Sequence, residues 1–179
     1  MTDNELIEGF LWGDEELFEK IIDNHKDYVY NLCYSFVKNR EDARDISQQV
    51  FVKIYTGLRD FDTARPFRPW LRRVVVNTCI DFFRERGDLE DLSLDDVHEA
   101  VGAVNPSVLK GLVAKDVVDK VLASMPVQYR MALSLRHLEE MSYSEIAESL
   151  DIPIGTVKTL IYRAREMFIK RYEGITEEL

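Results

Sequence analysis

Apolar residues recur every three to four positions along most of this 179-residue chain. They do not alternate with polar residues over any strand-length run, so the pattern predicts an all-α protein. A short helix over residues 3–12, capped by Asp3, breaks at Gly13. Asp14 then caps a longer helix to about Val37, whose apolar stripe includes Leu17, Phe18, Ile21, Ile22, Tyr28, Val29, Leu32, Cys33 and Phe36. Asn39 and Arg40 mark a turn. In the next helix, about 41–58, Ala43, Ile46, Val50 and Ile54 face one way as core. Opposite them Asp42, Asp45, Gln49 and Lys53 form a polar strip with Gln48 at its edge, flanked by Phe51 and Tyr55. Residues 60–69 hold two prolines among mixed charges and read as a loop.

The helix that follows, 67–86, has an unusual distribution. Leu71, Val74, Val75, Thr78 and Phe82 share one face, and Val76, Ile80 and Phe83 form a second apolar stripe. Between them runs one polar strip, Arg73, Asn77, Asp81 and Arg84, at spacing i, i+4, i+8, i+11. A helix wedged between neighbours on two sides leaves only that strip open. Phe67 and Trp70 stand at its entrance beside Arg65, Arg68, Arg72 and Arg73. Planar faces interleaved with arginines suit a nucleic-acid strand with unstacked bases. The alternative is a core helix whose arginines pair with surface acids.

Gly87 closes that helix. Residues 88–112 are acidic with no trustworthy helical period and read as a flexible or extended linker. Order returns at Asn105-Pro106-Ser107, with a helix from about 107 to 123. Two small helical domains are therefore expected, 1–87 and 113–179. In the second, Pro126 opens a helix to about Leu138, and Ser142 and Glu145 form a capping-box pair at the start of 142–150. Asp151-Ile152-Pro153 turns the chain into a last helix that opens at Gly155-Thr156 and runs to about Arg171. Short helix, tight turn and long helix make a helix-turn-helix. Val157, Leu160, Ile161, Ala164 and Phe168 point inward. Lys158, Thr159, Tyr162, Arg163, Glu166 and Lys170 point outward, as a helix in a major groove requires.

Composition changes the picture in two places. The net charge is −10, yet residues 61–87 carry three acids against six bases and residues 152–179 four against five. Two basic islands in an acidic background fit two DNA contacts made by a protein that does not cling to DNA indiscriminately. No apolar run approaches the ~20 residues that cross a bilayer, and the acidic start carries no signal-peptide pattern, so a cytoplasmic protein without membrane contact is expected. Cys33 and Cys79 lie on apolar helical faces and read as reduced core residues. His25, His98 and His137 are scattered singly, so no metal or cofactor is expected. Phosphate-loop, metal-ligand and nucleophile–base patterns are missing, which argues against an enzyme.

At these residues the chain resembles the extracytoplasmic-function group of sigma-70 factors. EDARDISQQVFVKIY resembles the group's polymerase-docking helix, and FRPWLRRVVVNTCIDFFRER its segment for melting and reading the promoter −10 element. MPVQYRMALSLRHLEEMSYSEIAESLDIPIGTVKTLIYRARE resembles its −35 reader. The likeness spans roughly residues 14–171, without the extra middle domain of the larger members. It implies that Asp42, Asp45, Gln48, Gln49 and Lys53 bind core RNA polymerase. It also implies that the loop at 62–69 holds a base flipped from the non-template strand. Asn77 stands where the family reads a −10 base, with Arg65, Phe67, Trp70, Arg72, Arg73, Asp81 and Arg84 nearby. Pro153, Gly155, Thr156, Lys158, Thr159, Tyr162 and Arg163 would read the −35 element. The acidic linker would thread through the polymerase toward the RNA exit path, and an anti-sigma factor would cover one of the binding faces. One departure is Leu160, where many relatives have a basic residue; by wheel position it packs inward. A stand-alone helix-turn-helix regulator leaves the cluster at 61–86 unexplained, and a helical protein-interaction module explains neither basic island.

Overall fold

The structure, a computed structural model, describes residues 1–89 and 115–177. The chain divides into two compact units, Met1–Glu85 and Arg86–Leu179. Eight α-helices and one 3-10 turn make up the regular structure of the described residues, with no strand among them. Of the expected linker, residues 90–112 lie outside the described residues, as do residues 107–114 of the helix expected from 107.

The first unit contains α1 (Asp3–Leu11), α2 (Glu16–Val37), α3 (Arg40–Gly57), a 3-10 turn (Leu58–Asp60) and α4 (Phe67–Arg86). Its core is the set of apolar stripes turned toward each other: Ile7 from α1, Ile21, Val29 and Phe36 from α2, Ala43, Ile46, Val50 and Ile54 from α3, and Leu71, Val75 and Val76 from α4. Burying each Leu, Ile, Val or Phe side chain is worth about 1.5–3 kcal/mol, so these stripes carry the fold. Two caps differ from expectation. Thr2, not Asp3, caps α1, in a reciprocal box with Glu5. Asp14 gives no side-chain cap to α2; its backbone carbonyl accepts from the Leu17 N–H instead. Asn39 is the cap of α3, accepting from the Glu41 and Asp42 N–H groups at 2.9 and 3.1 Å. Cys33 and Cys79 are free and fully buried. The Cys79 thiol is pushed well above the usual range by its hydrogen bond with Cys33 and by burial, so it stays protonated.

The second unit contains α5 (Lys115–Ser124), α6 (Val127–His137), α7 (Tyr143–Leu150) and α8 (Ile154–Glu177). α8 packs on α5, α6 and α7. It runs beyond Arg171 because Tyr172 and Ile175 continue the spacing of Phe168 against Val117, Val121 and Met125. A buried arginine closes α5: the Arg130 Nη1 donates to the carbonyls of Leu122, Ala123 and Met125 at 3.2–3.3 Å, satisfying groups that a helix end leaves orphaned. The Ser142–Glu145 capping box forms as expected. Asp151 ends α7 in the left-handed region, φ 55°.

Candidate nucleic-acid interface

α4 buries both of its apolar stripes. Leu71, Val75 and Thr78 on one side and Val76, Ile80 and Phe83 on the other are all interior, with Val74 and Phe82 half-buried. Thr78 is tolerated there because its hydroxyl donates to the Val74 carbonyl at 2.7 Å. The strip between them stays open: Arg73, Asn77, Asp81 and Arg84 are all exposed. Asp81 is paired with Lys53 of α3 at 3.0 Å, so the strip meets the polar face of α3 along that bridge.

The loop preceding α4 is anchored at both ends by aromatics. Phe61 and Phe67 are buried, and with half-buried Trp70 they form a cluster with ring centroids 5.1–5.7 Å apart. A Cβ on Gly57 would come within 3.2 Å of the Trp70 ring, so the absence of a side chain at the end of α3 gives that indole its seat. Between the anchors Asp62 folds the chain back: its carboxylate accepts from the Ala64 N–H at 3.0 Å, and its carbonyl accepts from the Arg65 N–H at 2.9 Å. Arg65 also pairs with that carboxylate at 3.3 Å. Arg68 lies over the Tyr28 ring, 4.2 Å from its centroid.

On α3, Asp45, Gln48, Gln49 and Lys53 are exposed and Asp42 is half-buried, all on the side opposite the core residues. In the second unit the first turns of α8 present Pro153, Gly155 and Lys158, all exposed, with half-buried Thr156, Tyr162 and Arg163. A Cβ on Gly155 would meet nothing within 4 Å, so the fold does not demand glycine there. The Tyr162 hydroxyl donates to Glu166 at 2.9 Å, which raises its pKa. The His137 imidazole is held below its ordinary value chiefly by burial, and further by Arg165 and Arg136.

Two family descriptions match the chain: "Sigma-70 region 2" over residues 21–88 and "Sigma-70, region 4" over residues 115–168. The ECF RNA polymerase sigma factor SigW of Bacillus subtilis (strain 168) is 33% identical over 173 residues, covering 91% of this chain and 92% of that protein. This chain belongs to the extracytoplasmic-function sigma factors of the sigma-70 family. The ECF RNA polymerase sigma-E factor of Escherichia coli (strain K12) is 32% identical over 176 residues, 93% of this chain and 92% of that one. Among solved structures, CnrH in complex with the cytosolic domain of CnrY shares the fold at TM-score 0.64 and 24% identity, covering 96% of this chain and 97% of that one. The sigma factor RpoE of Bartonella quintana, in complex with the anti-sigma factor NepR, shares it at TM-score 0.64 and 21% identity, covering 87% and 96%.

Within this sigma factor two of the expected contact residues are interior. Phe67, expected beside the DNA strand, is 2% exposed and packs against Phe61, Trp70 and the His25 ring, so it has no face to offer a base. Thr159, expected on the outer face of α8, is 8% exposed, and its hydroxyl donates to the Gly155 carbonyl at 3.2 Å. Leu160 is fully buried, which accounts for the missing cation: at this place in α8 the side chain is core. Two exposed apolar residues escape a reading of periodicity. Val52, 65% exposed, stands three and four positions from Gln49 and Gln48 on α3, and Ile154 opens α8 at 47%. For Val52 the signal was present, as an apolar residue out of phase with the core spacing of α3; Ile154 shares the phase of Val157 and Ile161 and is exposed because it stands at the first position of α8. Among the described residues no group of three or more His, Cys, Asp or Glu side chains could hold a metal ion.

Proposed function

We propose that the open strip of α4 is where this sigma factor holds and reads the −10 non-template strand. The observation that carries the reading is the exposure of Arg73, Asn77, Asp81 and Arg84 between two buried apolar stripes. Arg73 and Arg84 put positive charge on the strip for backbone phosphates, and the Asn77 amide can both donate to and accept from one base edge. Trp70 and Arg72 border the strip at the loop, where the turn of residues 62–66 receives a flipped base beside Arg65. Unstacking costs a few kcal/mol, and a stacked aromatic contact returns ~1–3 kcal/mol per base, so a strand can be trapped without ATP hydrolysis. Asp81 adds a carboxylate that accepts from exocyclic amines, with Lys53 at its back.

The remaining surfaces divide the other tasks. Asp42, Asp45, Gln48, Gln49 and Lys53 bind core RNA polymerase, with Val52 as an apolar contact at the centre of that polar face. Pro153, Gly155, Thr156, Lys158, Tyr162 and Arg163 engage the −35 duplex, and Ile154 is suited to a thymine methyl group. An anti-sigma factor covers one of these faces; the solved complexes of CnrH with CnrY and of RpoE with NepR support that reading. Binding, rather than catalysis, is the proposed role, and the cytoplasm the proposed place. Among the described residues no helix is long and apolar enough to cross a membrane.

The test is run-off transcription with purified core polymerase on a genomic promoter library. Specific start sites are expected only when the sigma factor is added. Asn77→Ala is expected to change base preference at one −10 position by about tenfold, the scale of a lost paired contact to a base, with core affinity unchanged. Equal loss at every promoter would defeat the assignment of Asn77 as a base reader.

A further inference from the structure

The first helix reaches the base-capturing loop through two adjacent residues. Asn4 Nδ2 donates to the Thr63 carbonyl at 2.6 Å and to the Arg65 carbonyl at 3.0 Å, across 59 and 61 positions of sequence. Only the amide nitrogen carries hydrogens, so both N–H bonds of one side chain are spent on the loop. Next to it, the Asp3 carboxylate is 2.9 Å from His25 Nε2, and the His25 ring meets Phe67 edge-on at 5.2 Å. α1 thus touches the loop at its turn through Asn4 and at its exit through Asp3 and His25. The capping box of Thr2 with Glu5 holds this first turn in place.

We infer that Asn4 is a positioning residue for strand capture: it fixes the turn of residues 62–66 so that Ala64, Arg65 and Pro66 keep one outward surface for a flipped base. The Asp62 contacts join residues of the loop to one another. Asn4 joins the loop to α1. Two carbonyls directed at one amide set the planes of the 63–64 and 65–66 peptides, and with them the directions of the side chains between. A loop ordered in advance does not lose conformational freedom when the base arrives, so affinity rises without a new contact to DNA. Asn4 is half-buried and sits on a different helix from every residue assigned to the −10 strand. The inference rests on the reading that this loop receives an unstacked base.

The experiment uses holoenzyme assembled from core polymerase and full-length sigma factor. The probes are single-stranded non-template −10 oligonucleotides from a promoter it transcribes, one intact and a set carrying one abasic site at each position in turn. For wild type, one abasic position should weaken binding well beyond the others and so mark the captured base. Asn4→Ala should weaken the intact strand about tenfold yet barely change binding of the strand abasic at that position, where nothing is left to capture. Asn4→Gln, which keeps both N–H donors, should lie closer to wild type, and core affinity should be unchanged in both variants. Equal weakening of the intact and abasic strands by Asn4→Ala, or no weakening of either, would overturn the inference. If Asn4→Ala lowers core affinity, the intact-to-abasic ratio of Asn4→Gln decides: a ratio as flat as that of Asn4→Ala counts against positioning, and a wild-type ratio supports it. A wild-type holoenzyme insensitive to every abasic site would instead defeat the base-capture reading itself.

Discussion

Leu160 concentrates the contest between recognition and packing in one side chain. The family resemblance leads one to expect a cation at that position, and introducing one looks like a way to strengthen the grip on phosphate. Burial decides otherwise, because Leu160 is fully enclosed beside Val157, Ile161 and Ala164. Leu160→Arg is therefore expected to destabilise the C-terminal unit by about 3–5 kcal/mol, the scale of an uncompensated buried charge. Urea unfolding would measure it, and −35 affinity should fall in proportion to the unfolded fraction. A stable variant with tighter −35 binding would mean that α8 rotates to turn this position outward. Phe67 carries the same lesson. An aromatic beside arginines has the composition of a base platform, but composition does not say which way a ring faces. His25, Phe61 and Trp70 close around it from three segments.

At the scale of the element, caps and stripes account for most of what local sequence could foretell. The box of Ser142 and Glu145 was legible because both partners lie within one turn of the helix they start. Ser142→Ala removes the hydroxyl that accepts from the Glu145 N–H and donates to its carboxylate. The expected cost is about 1 kcal/mol, seen as a drop of roughly 4–8 °C in the unfolding midpoint of a unit this size. Differential scanning calorimetry of the full chain would resolve it. The −10 functions of the first unit should be untouched, and a matching loss there would contradict the division into two units. α4 was legible in outline for a different reason: its two apolar stripes and one polar strip are phases of a single 3.6-residue period. The Asn4 contacts were not legible, because no local period links Asn4 to Thr63.

For the whole molecule the decisive quantity is charge placement. The first 22 residues hold seven acids and one base, and Glu15, Glu16 and Glu19 are exposed at the start of α2. This acidic segment is expected to keep the free sigma factor off DNA until polymerase supplies further contacts. Replacing the three glutamates by lysine should raise the affinity of the free chain for non-specific duplex about tenfold at ~50 mM salt, an increment largely lost by ~200 mM as screening shortens. Fluorescence anisotropy across a salt series would measure it. Preference among −10 sequences should not move, since none of these residues lies on the strip of α4. A change in base preference would show that the acidic segment takes part in reading.

The amino-acid sequence by itself determined the helices, the helix-turn-helix, the polar strip of α4 and the family, because each is written in spacings shorter than one element or in motifs held within one. Which side chains are enclosed was decided only in three dimensions. Phe67 and Thr159 became interior, Val52 and Ile154 stayed out in solvent, and Asn4 met the carbonyls of a loop some sixty residues away. Periodicity tells which residues of a helix share a side. How far the neighbouring elements wrap around that side depends on packing among distant segments, and no local pattern encodes it.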